Sequence, residues 1–127
     1  MSFQISWGSR WVYKKFSGNV TADEFALSLT KTQNDPRFDR LAFAINDFRD
    51  VDAVLVNADD VRKFIALGVG STYSNPELQT VVLTTNPELA ALVTHFVARS
   101  PIALRVFTNA AEVQDWMPEP YRDQIPW

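Results

Sequence analysis

Three short apolar runs, each followed by an asparagine and an amphipathic stretch, constrain this chain more than any other feature. They are "LAFAI" at 41–45, "LQTVVLT" at 78–84 and "ALRVFT" at 103–108. A continuous apolar run of this length suits a strand covered on both faces. Asparagine before a periodic stretch suits a helix cap, because its side chain accepts from an otherwise unpaired backbone N–H. Asn57, Asn86 and Asn109 hold those places, and Pro87 stands at a first helical position. Strands alternating with helices imply a mainly parallel sheet with right-handed crossovers.

The remaining elements extend that order. "FQIS" and "WVYKKFS" predict two strands joined by the turn "WGSR", and so an antiparallel pair. In the second strand Val12 and Lys14 point one way, and Trp11, Tyr13 and Lys15 the other. Thr21 with Glu24 three residues on predicts a capping box, followed by Ala22, Phe25, Ala26 and Leu29 on one helical face. A second helix is expected from Ala58 to Leu67, with Val61, Phe64 and Ile65 on its apolar face and Gly68 and Gly70 ending it. Between Asp47 and Asn57, "FRDVDAVLV" reads as a connecting loop. The third helix presents Leu89, Leu92, Val93 and Phe96, and "NAAEVQDWM" forms the last. The expected fold is a single α/β domain with a mixed, mainly parallel five-stranded sheet, its N-terminal strand antiparallel, and four helices. It spans residues 1–117. Residues 118–127 form an irregular tail rich in proline, in which Tyr121, Ile125 and Trp127 either lie back on the domain or meet a partner.

Composition narrows the function classes. At 127 residues the chain is long enough for one core. A net charge of −3 and a pI near 5.0 lack the basic footprint of a nucleic-acid binder. The chain has no cysteine and one histidine, His95, which puts the usual zinc sites out of reach. No apolar run approaches a spanning helix and the N-terminus has no signal-peptide core, so a cytoplasmic protein is expected. No cofactor or metal is implied.

These patterns resemble the STAS / SpoIIAA-like superfamily, whose lipid-binding relatives have the CRAL-TRIO fold, and within it the branch of small, mostly uncharacterised bacterial proteins. The resemblance rests on "SGNVTADEFALSL", "LAFAINDFRDVDAV" and "RVFTNAAEVQDWM", including Phe107 and Trp116, and covers Phe3 to Met117. It implies a non-enzymatic interaction or regulatory module, with a protein partner or a second copy of the chain as a homodimer. The best-known members carry a phosphorylatable serine at the start of the helix after the central strand. The matching residues here are Leu55-Val56-Asn57-Ala58-Asp59-Asp60, which offer no hydroxyl to a kinase.

Candidate chemistry gathers where such sheets bind ligands, beyond the carboxyl ends of the strands. Those ends read Ser17-Gly18-Asn19, Asn46-Asp47, Thr84-Thr85-Asn86 and Thr108-Asn109. They either ring a small ligand, anionic or lipid-like, or simply cap helices. The candidate ligand-binding residues are Asn46, Asp47, Arg49, Asn57, Asp59, Phe64, Thr85, Asn86 and Asn109. Phe64, Leu67, Val69 and Tyr73, around two glycines, could line an apolar pocket or a mobile flap. Asp50-Val51-Asp52-Ala53-Val54 fits the DxDx(T/V) pattern of magnesium-dependent phosphatases, the remote alternative, but four residues separate it from the expected strand. Asp47, Arg49 and Asp50 also read as a local ion network. His95 shares a helix face with Glu88 and Arg99, away from the core. No catalytic set is assigned.

Overall fold

The computed structural model describes residues 2–127. Strands β1 (Phe3–Trp7), β2 (Trp11–Thr21), β3 (Phe43–Leu55), β4 (Gln79–Leu83) and β5 (Leu104–Phe107) form one sheet in the order β1-β2-β3-β4-β5. β1 runs antiparallel to β2, and every other pair is parallel. The helices are α1 (Ala22–Gln33), α2 (Ala58–Ser71), α3 (Pro87–Val97), α4 (Ala110–Trp116) and a short α5 (Glu119–Arg122), with a 3-10 turn at Pro36–Arg40. The expected single α/β domain with a mixed five-stranded sheet and four main helices is the observed fold.

Two layers cover the sheet. On one face Phe16, Val20, Phe48, Val82 and Val93 form a core with side chains of α1, α2 and α3. On the other, Trp11, Tyr13, Ile45, Val81 and Leu83 pack against Val113, Met117 and Ile125 from α4 and the chain's last residues. The caps lie where the sequence puts them. Thr21 accepts from the Glu24 N–H, Asn57 from Asp60, Asn86 from Glu88 and Leu89, and Asn109 from Glu112. The full reciprocal box is Asn57–Asp60. Glu24 does not reach back to Thr21 in this way; its carboxylate instead accepts from the backbone and hydroxyl of Ser2.

Two further expectations are corrected. The segment "FRDVDAVLV" is strand through Leu55, not a connecting loop. β3 pairs with β4 only as far as Asp47–Leu83, and beyond that it continues beside β2 alone, to Thr21–Leu55. Burial changes at the same point: the first six residues of β3 are all buried, and the next several alternate. Asp50-Val51-Asp52-Ala53 is therefore a period-2 strand with one wet face. Gly18, at φ 67°, sits at a register shift that keeps the two long strands paired. The second correction concerns α2, which passes through Gly68 and Gly70 to Ser71. Gly68 serves packing rather than termination: a Cβ there would stand 2.7 Å from Ile102 Cδ1.

Candidate ligand-binding site

The backbone of β2 and β3 sends neighbouring residues to opposite faces. Tyr13 and Lys14 split in this way, and so do Asn46 and Asp47. Each face therefore holds its own pair of buried polar side chains, and the two pairs differ in what surrounds them.

On the face under α4 and the tail, Asp47 is 1% exposed and fully partnered. The Tyr13 hydroxyl donates to Asp47 Oδ2. Arg49, two residues along the same strand face, donates from its backbone N–H to Oδ1 at 3.0 Å and from Nη2 to Oδ2 at 2.8 Å. Burial alone would raise the Asp47 pKa; the bonds from Arg49 and Tyr13 outweigh it and hold the carboxyl below its ordinary range. Burial and the Asp47 carboxylate push the Tyr13 phenol up. The indole of Trp127 meets the Tyr13 ring edge-on at 6.1 Å and closes the network. This is a satisfied structural pair.

On the face under α1, α2 and α3 lies a cavity of about 120 Å³. Phe25, Phe48, Phe64, Val82, Leu89 and Ile102 contribute to walls that are overwhelmingly apolar. Lys14 and Asn46, cross-strand partners in the β2–β3 register, both line it. Lys14 is 2% exposed and, among the described residues, no carboxylate lies within ion-pair distance. Its Nζ has the Ser28 hydroxyl at 3.5 Å, at the limit of a hydrogen bond, and the Phe25 ring with its centroid at 5.5 Å. Among the described residues no other ionisable side chain lines the cavity. Burial without a counter-charge pushes the Lys14 pKa down to about 7. Asn46 donates from Nδ2 to the Val81 carbonyl at 3.2 Å, which fixes the amide orientation. Its Oδ1 is buried and accepts from no protein group.

A second, shallower pocket adjoins this cavity. An outer pocket between the end of α1 and α2 shares Gln33, Phe38 and Ser71 with the inner one. Leu67, Gly70 and Ser74 form its outer part.

Of the candidate ligand-binding residues, the cavity takes Asn46 and Phe64. Asp47 and Arg49 lie on the opposite face. Asn57, Asn86 and Asn109 cap α2, α3 and α4. Asp59 pairs with Arg62 and Lys63 on the exposed side of α2, and Thr85 is exposed. Asp50 pairs with Lys15 at 3.0 Å, and Asp52 is exposed on the wet face of β3. His95 is exposed beside Arg99. Among the described residues no group of three acidic or histidine side chains could hold a metal ion, and no helix is long and apolar enough to cross a membrane. Tyr121, Ile125 and Trp127 touch this chain's own sheet: Tyr121 packs on Phe43, Trp127 on Tyr13, and Ile125 is 5% exposed. Lys14 is the residue that the candidate set missed. Its signal was a charged side chain between Val12 and Phe16 on one strand face, both fully buried.

Solved structures share this architecture. An uncharacterised protein of the DUF3478 family with a SpoIIAA-like fold, from Shewanella loihica PV-4, superposes with a TM-score of 0.57 at 13% identity, over 91% of this chain and 92% of its own. The anti-sigma factor antagonist SpoIIAA in its unphosphorylated form gives 0.56 at 13% identity, over 90% and 96%. No protein-family model and no curated protein matches the sequence. The likeness is one of fold.

Proposed function

We propose that this SpoIIAA-like chain is a small-ligand-binding protein whose site is the cavity between the sheet and α1–α3. The observation that carries this reading is Lys14, an amine without a counter-charge inside an apolar chamber. Burying an ammonium unpaired costs several kcal/mol on the usual scale. A leucine or methionine would fill the same place at no such cost. The unpaired Asn46 Oδ1 beside it adds a second unmet polar group. A bound molecule bearing one carbonyl or carboxylate oxygen for Lys14, and a hydroxyl or N–H for Asn46, answers both.

Volume bounds the ligand. A cavity of about 120 Å³ is a little smaller than the engineered chamber of about 150 Å³ that holds benzene. The occupant is therefore compact, on the order of six to eight heavy atoms within the chamber. A longer chain would have to leave through the outer pocket. Titration with hexanoate and with benzyl alcohol, followed by two-dimensional amide NMR, tests the reading. The expected shifts cluster at cavity-lining residues such as Asn46, Phe64 and Val82. Absent shifts, or shifts scattered over the surface, overturn it.

A second reading is a protein-interaction module without the serine switch, acting on a partner or on a second copy. It is supported by likeness to a structure described as an anti-sigma factor antagonist, and by Leu67 and Tyr73 near the end of α2, 48% and 88% exposed. The first turn of α2, Ala58-Asp59-Asp60, again offers no hydroxyl. Sedimentation velocity of wild type beside L67K/Y73S tests it. A wild-type dimer lost in the variant supports homodimerisation, whereas strictly monomeric behaviour removes it. The phosphatase alternative has no support in the placement of Asp50 and Asp52 on an exposed strand face.

A further inference from the structure

Lys14 differs in kind from the other three lysines. Lys15 pairs with Asp50, Lys63 pairs with Asp59, and Lys31 lies exposed on α1. All three reach water. Lys14 is 2% exposed, lines a mainly apolar chamber with no carboxylate among its described lining residues, and has only the weakly placed Ser28 hydroxyl as a partner. Desolvation brings its pKa down to about 7, so a large fraction is free amine at neutral pH. Desolvated lysine amines attack carbonyl carbons.

The neighbouring groups suit that reaction. Asn46 lies directly across the β2–β3 ladder from Lys14, with its Nδ2 held by the Val81 carbonyl and its Oδ1 free. Amine addition to an aldehyde turns the carbonyl oxygen, which can only accept, into a hydroxyl, which can donate. A free acceptor on the same face is what that hydroxyl requires. The mainly apolar walls disfavour the water that drives imines back to aldehydes.

We infer that Lys14 forms a reversible imine with a compact aldehyde held in the cavity. This rests on the cavity reading above and names its chemistry. The Nζ lone pair attacks the carbonyl carbon and the C=O π pair moves to oxygen. A proton passes from nitrogen to that oxygen, giving the carbinolamine. The remaining N–H proton then passes to the hydroxyl, the C–O bond breaks with its electron pair leaving as water, and the nitrogen lone pair closes the C=N double bond. Aldehyde and amine give imine and water, with no oxidant or reductant.

The test is reductive trapping. Wild-type protein is incubated at pH 7 with benzaldehyde and sodium cyanoborohydride, and adducts are mapped by peptide mass spectrometry. Lys14 is expected to be labelled at least about tenfold faster than Lys15, Lys31 or Lys63, in line with the desolvation of its amine in the cavity. Benzyl alcohol, which fits the chamber but cannot form an imine, should slow labelling of Lys14 and leave the other three unchanged. The Lys14→Met variant, which keeps the fold by removing an unpaired buried amine, should lose the fast phase. Lys14 labelled no faster than the surface lysines overturns the imine. If benzyl alcohol still perturbs Asn46, Phe64 and Val82 by NMR, the cavity reading survives that failure; if it does not, both fall.

Discussion

The two faces of the sheet are built from adjacent residues and reach opposite solutions. Tyr13 and Asp47 meet under the tail with every polar atom engaged, helped by Arg49. Lys14 and Asn46, one step along each strand, meet under the helices with an amine lacking a counter-charge and an amide oxygen lacking a donor. Burial is nearly equal, at 2% and 1% for the first pair and 2% and 4% for the second. Depth therefore does not distinguish structure from site in this protein. Satisfaction of the polar groups does: the network under the tail is closed, and the one under the helices is the open pair on which the proposed ligand site rests.

The comparison breaks most visibly at Asp47. Asp47→Ala strands the Tyr13 hydroxyl and removes the carboxylate that takes Arg49's side-chain hydrogen bonds, and is expected to cost about 3–5 kcal/mol by urea denaturation. A near-neutral result would show that the tail face is not held by its network. On the helix face the sign reverses. Lys14→Met is expected to stabilise the protein by about 2–4 kcal/mol at pH 7, read in the same experiment.

The two groups also respond differently to pH. Asp47 has a lowered pKa in the folded protein, so its contribution is present above the ordinary carboxylate range and is lost as pH falls through the folded value. Lys14 imposes its full cost below about pH 7. That cost is relieved as pH rises from about 7 toward 10.5, where the unfolded chain still holds the proton and the folded chain does not. Wild-type stability should therefore climb between pH 7 and about 9.5, below the range where phenols titrate, and Lys14→Met should flatten that limb. An equal slope in both proteins would place the titrating group elsewhere.

Two smaller changes sharpen the picture. Ile125→Ala removes a buried side chain from the tail's seat on the sheet and is expected to cost about 2–3 kcal/mol by thermal melting, since Ile→Ala in a core rarely costs less. A loss below 1 kcal/mol would mean that the tail is dispensable to the closed face. Asn57→Ala removes one cap from α2 and should cost about 1 kcal/mol, without changing ligand-induced NMR shifts at Phe64. Altered shifts there would tie the start of α2 to the cavity.

Much of the fold was legible because it rests on local chemistry. Asn57, Asn86, Asn109 and Thr21 announced four helix starts, since a cap needs only its own first turn. The continuous runs around Ile45, Val82 and Val106 announced strands covered on both sides. The alternation Asp50-Val51-Asp52-Ala53 was equally regular, yet its acid density read as loop. What keeps it in strand is the pairing with Ser17 to Thr21, more than thirty residues earlier. Gly68 misled for a similar reason: glycine near a helix end signals a stop, and the side chain of Ile102 that it accommodates lies far along the chain.

The site was harder to read. Residue order places Val12, Lys14 and Phe16 on one face, and Tyr13 on the other, because strand side chains alternate. Order also determined that no hydroxyl stands at the start of α2, and that each helix begins where an Asn or Thr can cap it. It could not assign Lys14 a surrounding, because an exposed lysine and an entombed one are written the same way. Assembly of α1, α2 and α3 over β2–β4 leaves that amine in an apolar chamber. Folding of the tail onto Tyr13 closes the opposite face around Asp47. Desolvation depends on what packs overhead from distant parts of the chain, so the difference between a closed polar pair and an open one arises only once the layers have met.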